Sequence, residues 1–210
     1  YRKLYITGGY RMKRILSLLV VVALLLTSFT IPVVNAEEIE WSQDASLMNA
    51  NDESGVTYKL TSDIGGTLTL TGQEIAIDLA GHTWQHNGTA IILNTGSIHV
   101  YDSVGGGTIN VTASDAINMG NGTALFENIT IKAGGSNMDA IFCDGGNLTV
   151  NNCTVSGPKA GINVCNSSEA VDVGARSVVT VNGCTFATYA GADKGIANCA
   201  NFFIRIPSLT

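Results

Sequence analysis

The feature of this sequence that most restricts its fold is an internal repeat of about two dozen residues. Residues 123–131 (TALFENITI) match 147–155 (NLTVNNCTV) at an offset of 24, and the pattern returns 31 residues later at 178–186 (VVTVNGCTF). A small residue followed by isoleucine precedes the copies, as at 116–117 and 140–141. Such a repeat predicts a solenoid, in which each unit buries its apolar side against the next.

Each repeat consists of short runs that are typical of β-strands. Apolar and polar residues alternate, as from Ile75 to Leu79, and Val, Ile and Thr are frequent. Glycine clusters such as 105–107 separate the runs and suit tight corners. A β-sandwich also fits these strands, but sandwich strands need not resemble one another. Stacked coils place equivalent residues about 4.8 Å apart, so the repetition favours the solenoid.

The segments 57–64 (TYKLTSDI) and 75–83 (IAIDLAGHT), together with the later NITI and NCTV runs, resemble a known family. They are similar to right-handed parallel β-helix proteins of the pectate-lyase-like superfamily, in particular to repeat regions of secreted bacterial surface proteins. The resemblance covers about residues 57–200 and implies an all-β, right-handed parallel β-helix solenoid of about five to six coils, preceded by a signal-peptide helix. We expect an N-terminal cap region over 37–56. An incomplete end over 201–210 would make the chain part of a longer protein.

Residues 12–36 have the pattern of a secretory signal peptide. Met12 is followed by two basic residues, an apolar run over 15–26 and a small-residue cleavage site ending at Ala36. The apolar run is shorter than the roughly 20 residues that cross a bilayer, which disfavours a transmembrane anchor. We interpret residues 1–11 as upstream translation. The protein is therefore expected to be secreted or on the cell surface, with no membrane span after signal removal.

The charge of the chain is concentrated after the leader. Residues 37–210 contain six basic and seventeen acidic residues, a net charge of −11. This excludes a nucleic-acid partner, because phosphate binding requires a basic face. The partner expected from the resemblance is an extracellular polysaccharide or a host or cell surface.

The five cysteines fall into two groups. Cys143, Cys153 and Cys184 are predicted to be small core residues. They belong to two inward ladders of equivalent residues: Ile129, Cys153, Cys184; and Leu93, Met119, Cys143, Val164. Adjacent coils would bring Cys153 and Cys184 within bridging distance, but with nearly parallel Cβ vectors, which is poor disulfide geometry. Cys165 and Cys199, each three residues after an isoleucine, are the better disulfide candidates.

The candidate binding residues are mainly acidic. Asp115 and Asp139 share the 24-residue offset and should stack in neighbouring coils, with Asp144 on the following turn. Asp115 and Asp139 could bind Ca²⁺ through oxygen ligands or share a proton; the alternative is a pair of solvated corner aspartates. Tyr101, out of phase with Val100, is predicted to point outward and could stack on a sugar ring.

The sequence favours a binding module over an enzyme. Resemblance to pectate lyases implies an arginine base beside a calcium-binding acidic cluster, but after the leader the only arginines are Arg176 and Arg205, at non-equivalent repeat positions. The motifs that resemblance to polygalacturonase-type hydrolases would imply are not found in the sequence. We therefore predict a secreted, non-catalytic module for surface adhesion or polysaccharide contact. The alternatives are a polysaccharide lyase or glycoside hydrolase acting on a polyuronate-type glycan, and an inert structural spacer.

Overall fold

A computed structural model describes residues 37–50, 55–165, 177–186, 194–198 and 203–205. The expected signal peptide and the upstream residues lie outside these ranges. Strands dominate the described part, which has one short 3-10 helix, Ala45–Ala50. None of its helices is long and apolar enough to cross a membrane.

The strands form two sheets in which neighbouring strands run parallel, one of twelve strands and one of five. In chain order the strands are β1 (Glu38–Trp41), β2 (Val56–Leu60), β3 (Leu68–Asp78), β4 (Thr83–His86), β5 (Ile91–Tyr101), β6 (Thr108–Val111), β7 (Ile117–Met119), β8 (Thr123–Glu127), β9 (Thr130–Lys132), β10 (Asp139–Cys143), β11 (Asn147–Asn151), β12 (Thr154–Ser156), β13 (Ala160–Val164), β14 (Val178–Asn182), β15 (Thr185–Phe186), β16 (Lys194–Asn198) and β17 (Phe203–Arg205).

The solenoid has three faces, which the chain visits in turn. The first face contains the beginnings of β3 and β5, then β7, β10, β13 and β16; the second contains β1, β2, the ends of β3 and β5, then β8, β11, β14 and β17. The five-stranded sheet of β4, β6, β9, β12 and β15 is the third face. Because β3 and β5 each belong to two faces, the first two faces form one continuous sheet.

A glycine lies where β5 passes from the first face to the second. Gly96 has a φ of +93°, and a Cβ atom built on it would lie 2.3 Å from the backbone oxygen of Gln73. Both the positive φ and the close approach of the neighbouring coil therefore require glycine at this position.

The predicted fold class is confirmed as an all-β parallel β-helix solenoid, with about four turns rather than five to six. One reason for the smaller number is that the coil containing β2 reaches the third face only through an isolated bridge between Ile64 and Trp84, not through a strand.

Ladders of equivalent apolar residues fill the interior. The 24-residue offset is realised directly, because Ile117 pairs with Ile141 and Phe126 with Val150. The predicted ladder of Leu93, Met119, Cys143 and Val164 is in register and buried. Each fully buried side chain of this kind stabilises the fold by about 1.5–3 kcal/mol relative to an exposed one.

Candidate functional site

A polar corner lies where the third face turns into the first. Asp115 comes just before β7, and its Oδ1 accepts the backbone N–H of Asp139 in the next coil at 2.7 Å. Asp139, the first residue of β10, is only 2% exposed, while Asp115 is half-buried. The structure therefore brings Asp115 and Asp139 together in neighbouring coils.

Two residues of the following coil complete this corner. Oδ2 of Asp139 accepts hydrogen bonds from Lys159 Nζ at 3.0 Å and from Asn163 Nδ2 at 2.7 Å. The backbone N–H of Lys159 also donates to the carbonyl oxygen of Met138 at 2.9 Å. Oδ1 of Asp139 is buried and has no hydrogen-bond partner in the described part of the chain. The Asp139 carboxylate is thus held through one oxygen by an ammonium and an amide.

The surroundings of Asp115 disfavour its charged form. Burial raises the pKa of this carboxyl above its ordinary value, and the negative charge of Asp139 raises it further. The hydrogen bond from the Asp139 N–H and the charge of Lys159 act in the opposite direction but do not cancel the increase. Asp115 therefore accepts the backbone N–H of Asp139 and also keeps its own carboxyl proton to a higher pH than a free aspartate does.

The polar corner already contains a positive charge. Calcium binds about six to eight oxygen ligands, and here the Lys159 ammonium lies beside one oxygen of Asp139. No group of three or more His, Cys, Asp or Glu side chains among the described residues could hold a metal. Asp144 follows β10 at its far end, roughly 16 Å of extended chain from Asp139, and does not join the corner.

Sequence reasoning missed Lys159 and Asn163, although a signal for Lys159 existed. Lys159 lies directly before Ala160, the residue that takes the position of Asp115 and Asp139 in the next coil and pairs with Asp139. Only arginine was expected as the basic residue beside the acidic cluster, so lysine was not considered. Asn163 carries no such positional signal.

The described cysteines differ in burial and in whether they are free thiols or disulfide-bonded. Cys143 and Cys153 are buried free thiols, as the inward ladders predict, and Cys184 is a half-buried free thiol. Cys165 is disulfide-bonded. Its predicted partner, Cys199, lies outside the described residues, so that pairing stays a prediction.

A second candidate site is a groove of about 300 Å³ on the outer surface of the second face. Its floor is a row of residues from four consecutive coils, Thr57, Ala76, His99 and Leu125, which pair in register. Beside them runs a parallel row of polar residues from the same strands: Glu74, Ser97 and Thr123. The groove forms because the small Ala76 side chain lies between longer neighbours. We call this site the second-face groove.

An aromatic and acidic cluster flanks the second-face groove. The rings of His99 and Tyr101 are 4.8 Å apart between centroids and inclined by 33°. His99 Nε2 lies 2.9 Å from Glu127 Oε2, and Glu127 Oε1 accepts a hydrogen bond from Asn151 Nδ2 at 2.9 Å. Tyr101 lies on the outer side of the sheet, half-buried, while Val100 is fully buried. These contacts hold the His99 ring in place on the floor of the groove.

The protonation states of this cluster follow from its contacts. The Asn151 amide lowers the pKa of the Glu127 carboxyl, and His99 adds to this effect against the opposing effect of burial. Burial raises the pKa of the Tyr101 hydroxyl, and the charges of Asp78 and Glu38 raise it further. At neutral pH the groove is therefore flanked by a carboxylate and a neutral phenol.

The charges around the second-face groove are predominantly negative. Glu74 lines it, and Asp78 and Glu127 belong to the adjacent row of the same face. Lys59, in that same row, forms an ion pair with Glu38 at 3.5 Å. Among the described residues that line the groove there is no lysine or arginine, so an anionic ligand would meet repulsion from these carboxylates.

Comparison of the chain with protein-family models, with curated proteins and with solved structures finds no match. The fold itself therefore defines the class of this protein, which is a parallel β-solenoid. The resemblance to the pectate-lyase-like superfamily is supported by the residues of the sequence alone.

Proposed function

We propose that this chain is a secreted, non-catalytic β-solenoid module that binds a neutral polysaccharide in the second-face groove. The observation that carries the proposal is the groove itself, with Ala76, His99 and Leu125 on its floor and the Tyr101 ring packed beside that of His99. Its volume is at the lower end of the roughly 300–1,000 Å³ found for small-ligand sites. A short stretch of glycan is the scale of ligand that such a groove can accommodate.

The chemistry of the second-face groove suits a sugar ring. Sugars combine apolar C–H faces with hydroxyl groups, so their sites pair apolar or aromatic surfaces with a few fixed hydrogen-bonding groups. Leu125 and the His99 ring supply the apolar surface, and Ser97 and Thr123 supply hydroxyl groups. The Glu127 carboxylate fixes the orientation of His99, which reduces the entropy lost on binding.

The charge distribution supports a neutral glycan over a polyuronate. Glu74 lines the groove and Glu127 lies in the adjacent row of the same face, so bringing further carboxylates against them would cost electrostatic energy. The polyuronate lyase or hydrolase alternative also loses support at the polar corner, where Lys159 and Asn163 occupy the Asp139 carboxylate. Secretion is supported by the signal-peptide pattern of residues 12–36.

The test is a binding and turnover assay on a glycan panel, with and without Ca²⁺. We expect binding to neutral polysaccharides that does not depend on Ca²⁺ and no binding to polygalacturonate or alginate. Tyr101→Ala and His99→Ala should each weaken neutral-glycan binding about tenfold, the equivalent of one well-placed aromatic contact. Gln85→Ala is the matched control, because Gln85 is exposed on the third face, away from the groove.

Three results would contradict the proposal. The first is the appearance of unsaturated or hydrolysed products from any glycan, which would make the chain an enzyme; loss of that activity in Asp139→Ala would locate it at the polar corner. The second is neutral-glycan binding that His99→Ala leaves intact. The third is the absence of binding to every glycan of the panel, which would favour the structural spacer.

A further inference from the structure

We propose that Cys153 and Cys184 form a redox-active dithiol that closes reversibly into a disulfide between two consecutive coils. The two residues occupy equivalent corner positions, since each directly precedes a strand of the third face and Thr154 pairs with Thr185. The backbone N–H of Thr185 donates to the carbonyl oxygen of Cys153 at 2.9 Å. The two cysteines are therefore locked side by side in neighbouring coils.

The two sulfur atoms lie beside the carbonyl oxygens of consecutive residues of one coil. Cys153 Sγ lies 3.2 Å from the carbonyl oxygen of Asn151, and Cys184 Sγ lies 3.3 Å from that of Val150. Equivalent residues of adjacent coils are about 4.8 Å apart, within the Cα–Cα range of disulfides. The backbone spacing of the two coils therefore permits a bond between these cysteines.

The two thiols differ in reactivity in the way that thiol–disulfide exchange requires. Cys184 is half-buried, and the adjacent Cys153 thiol lowers its pKa to about 7, with help from nearby backbone groups and against the effect of burial. The same contact and its own burial raise the pKa of Cys153. Cys184 is thus the accessible thiolate that attacks first, and Cys153 is the buried thiol that resolves the intermediate.

The reaction needs a small-molecule disulfide as oxidant, which an oxidising extracellular environment can supply. The Cys184 thiolate attacks one sulfur of that disulfide, forming a mixed disulfide and releasing one small thiolate. Cys153 then loses its proton and attacks Cys184 Sγ, which forms the Cys153–Cys184 bond and releases the second thiolate. Both released thiolates take up protons, so two protein thiols are oxidised while one small disulfide is reduced to two thiols.

The expected bond is a labile one. Equivalent positions in stacked coils, such as those of Cys153 and Cys184, have nearly parallel Cβ vectors, and such geometry strains a disulfide. Strained disulfides are more readily reduced than structural ones. The pair is therefore expected to cycle with its surroundings, whereas Cys165 is already disulfide-bonded.

The test uses the full chain, first reduced and then exposed to oxidised glutathione, with free thiols alkylated before tryptic digestion and mass spectrometry. Trypsin places Cys153 in the peptide 133–159 and Cys184 in the peptide 177–194. We expect these peptides to become cross-linked through Cys153 and Cys184, and to separate again on mild reduction. In unoxidised protein, Cys184 should be alkylated before Cys143, with a rate that rises through about pH 7.

Single variants distinguish the two roles. Cys153→Ser should trap one glutathione on Cys184, because the resolving thiol is missing, whereas Cys184→Ser should form neither the adduct nor the cross-link. Cys143→Ala is the matched control and should cross-link like the parent, since Cys143 belongs to a different ladder. Full alkylation of Cys153 and Cys184 after oxidation would overturn the proposal even if no variant folds. A stable glutathione adduct on Cys184 of the unmodified chain would overturn it as well.

Discussion

Lys159 Nζ lies 3.0 Å from Asp139 Oδ2, and this ion pair joins two consecutive coils. Its members are unequally exposed, because 42% of the Lys159 side chain is accessible and only 2% of the Asp139 side chain. Replacing the lysine therefore recovers little desolvation energy, because its side chain is already largely exposed, whereas the aspartate stays buried. Breaking such a pair from its exposed side leaves an uncompensated buried carboxylate.

Lys159→Met should consequently lower the free energy of unfolding by about 2 kcal/mol, less than for a fully buried pair because Asn163 still donates to Asp139. Urea denaturation at pH 7 measures the loss. Lys132→Met is the matched control, since Lys132 is exposed at the end of β9, and it should stay within about 0.5 kcal/mol of the parent. If the loss persists in an Asp139→Asn background, it does not arise from the ion pair.

Asp115→Asn should be at least as stable as the parent at pH 7. The raised pKa of Asp115 means that the folded chain holds its proton to higher pH than the unfolded chain. The contribution of Asp115 to the free energy of unfolding is then largest below the pKa that Asp115 has in the unfolded chain, near 4. It is lost as the pH rises through the higher pKa of the folded chain. Asparagine can still accept the Asp139 N–H but does not ionise.

The measurement for Asp115 is a series of thermal melts of parent and variant between about pH 3 and 8. The difference between the two curves should change in favour of the variant as the pH rises above about 4. A variant that loses stability relative to the parent across this range would show that the charged form of Asp115 stabilises the fold.

Asp102 should show the opposite pH dependence. Burial alone would raise the pKa of this carboxyl, but the backbone N–H groups of Gly107 at 2.6 Å and Gly81 at 2.8 Å outweigh it and lower the pKa. The stabilisation is then complete above the unfolded pKa and is lost as pH falls through the lower folded pKa. Asp102→Asn should cost about 2 kcal/mol at pH 7, because its amide group cannot accept all these bonds.

Acid titration of unfolding, followed by circular dichroism, measures this contribution. The parent should lose stability below about pH 4, and Asp102→Asn should lose less over the same interval, since its penalty is already present at neutral pH. Glu40→Gln is the control, because Glu40 is exposed on β1. Parallel titration curves for parent and Asp102→Asn would contradict the assignment.

The sequence predicted the packing of the solenoid better than its surface. A repeat offset of 24 residues fixes which residues pair, so Ile117 under Ile141 and Phe126 under Val150 follow from the alignment of the copies. Burial of one face then determines which of these side chains point inward. The core ladders were predictable because they depend only on register and alternation.

The sites were less predictable because they depend on irregular positions. Lys159 reaches Asp139 from a turn whose length is not set by the 24-residue offset. Asp144 was expected near Asp139, but a whole strand, β10, separates them. The second-face groove depends on one small residue, Ala76, among larger outward neighbours, and alternation says nothing about the sizes of outward side chains. Contacts between outward side chains therefore required the three-dimensional structure.

The corner before β12 gives a final prediction about backbone strain. Asn152 has a φ of +52° and Asn128, one coil earlier, has a φ of +58°, in the left-handed region that side chains rarely adopt. The next coil has Gly183 at the equivalent position, with a φ of +61°. The Asn152 amide donates to Asn128 Oδ1 at 3.5 Å, a long and exposed hydrogen bond that contributes little. Conformational tolerance, more than this bond, accounts for asparagine here.

Asn152→Gly should therefore be nearly neutral, whereas Asn152→Ala should lower the free energy of unfolding by about 1 kcal/mol or more, because alanine pays the steric cost of a positive φ without a compensating contact. Urea denaturation of the two variants side by side isolates the backbone effect, since both remove the amide. Asn151→Ala is a useful comparison, because Asn151 lies in β11 and its loss removes hydrogen bonds to Glu127 and Asn182 instead. Equal losses for Asn152→Gly and Asn152→Ala would assign the role of this residue to its side-chain hydrogen bond.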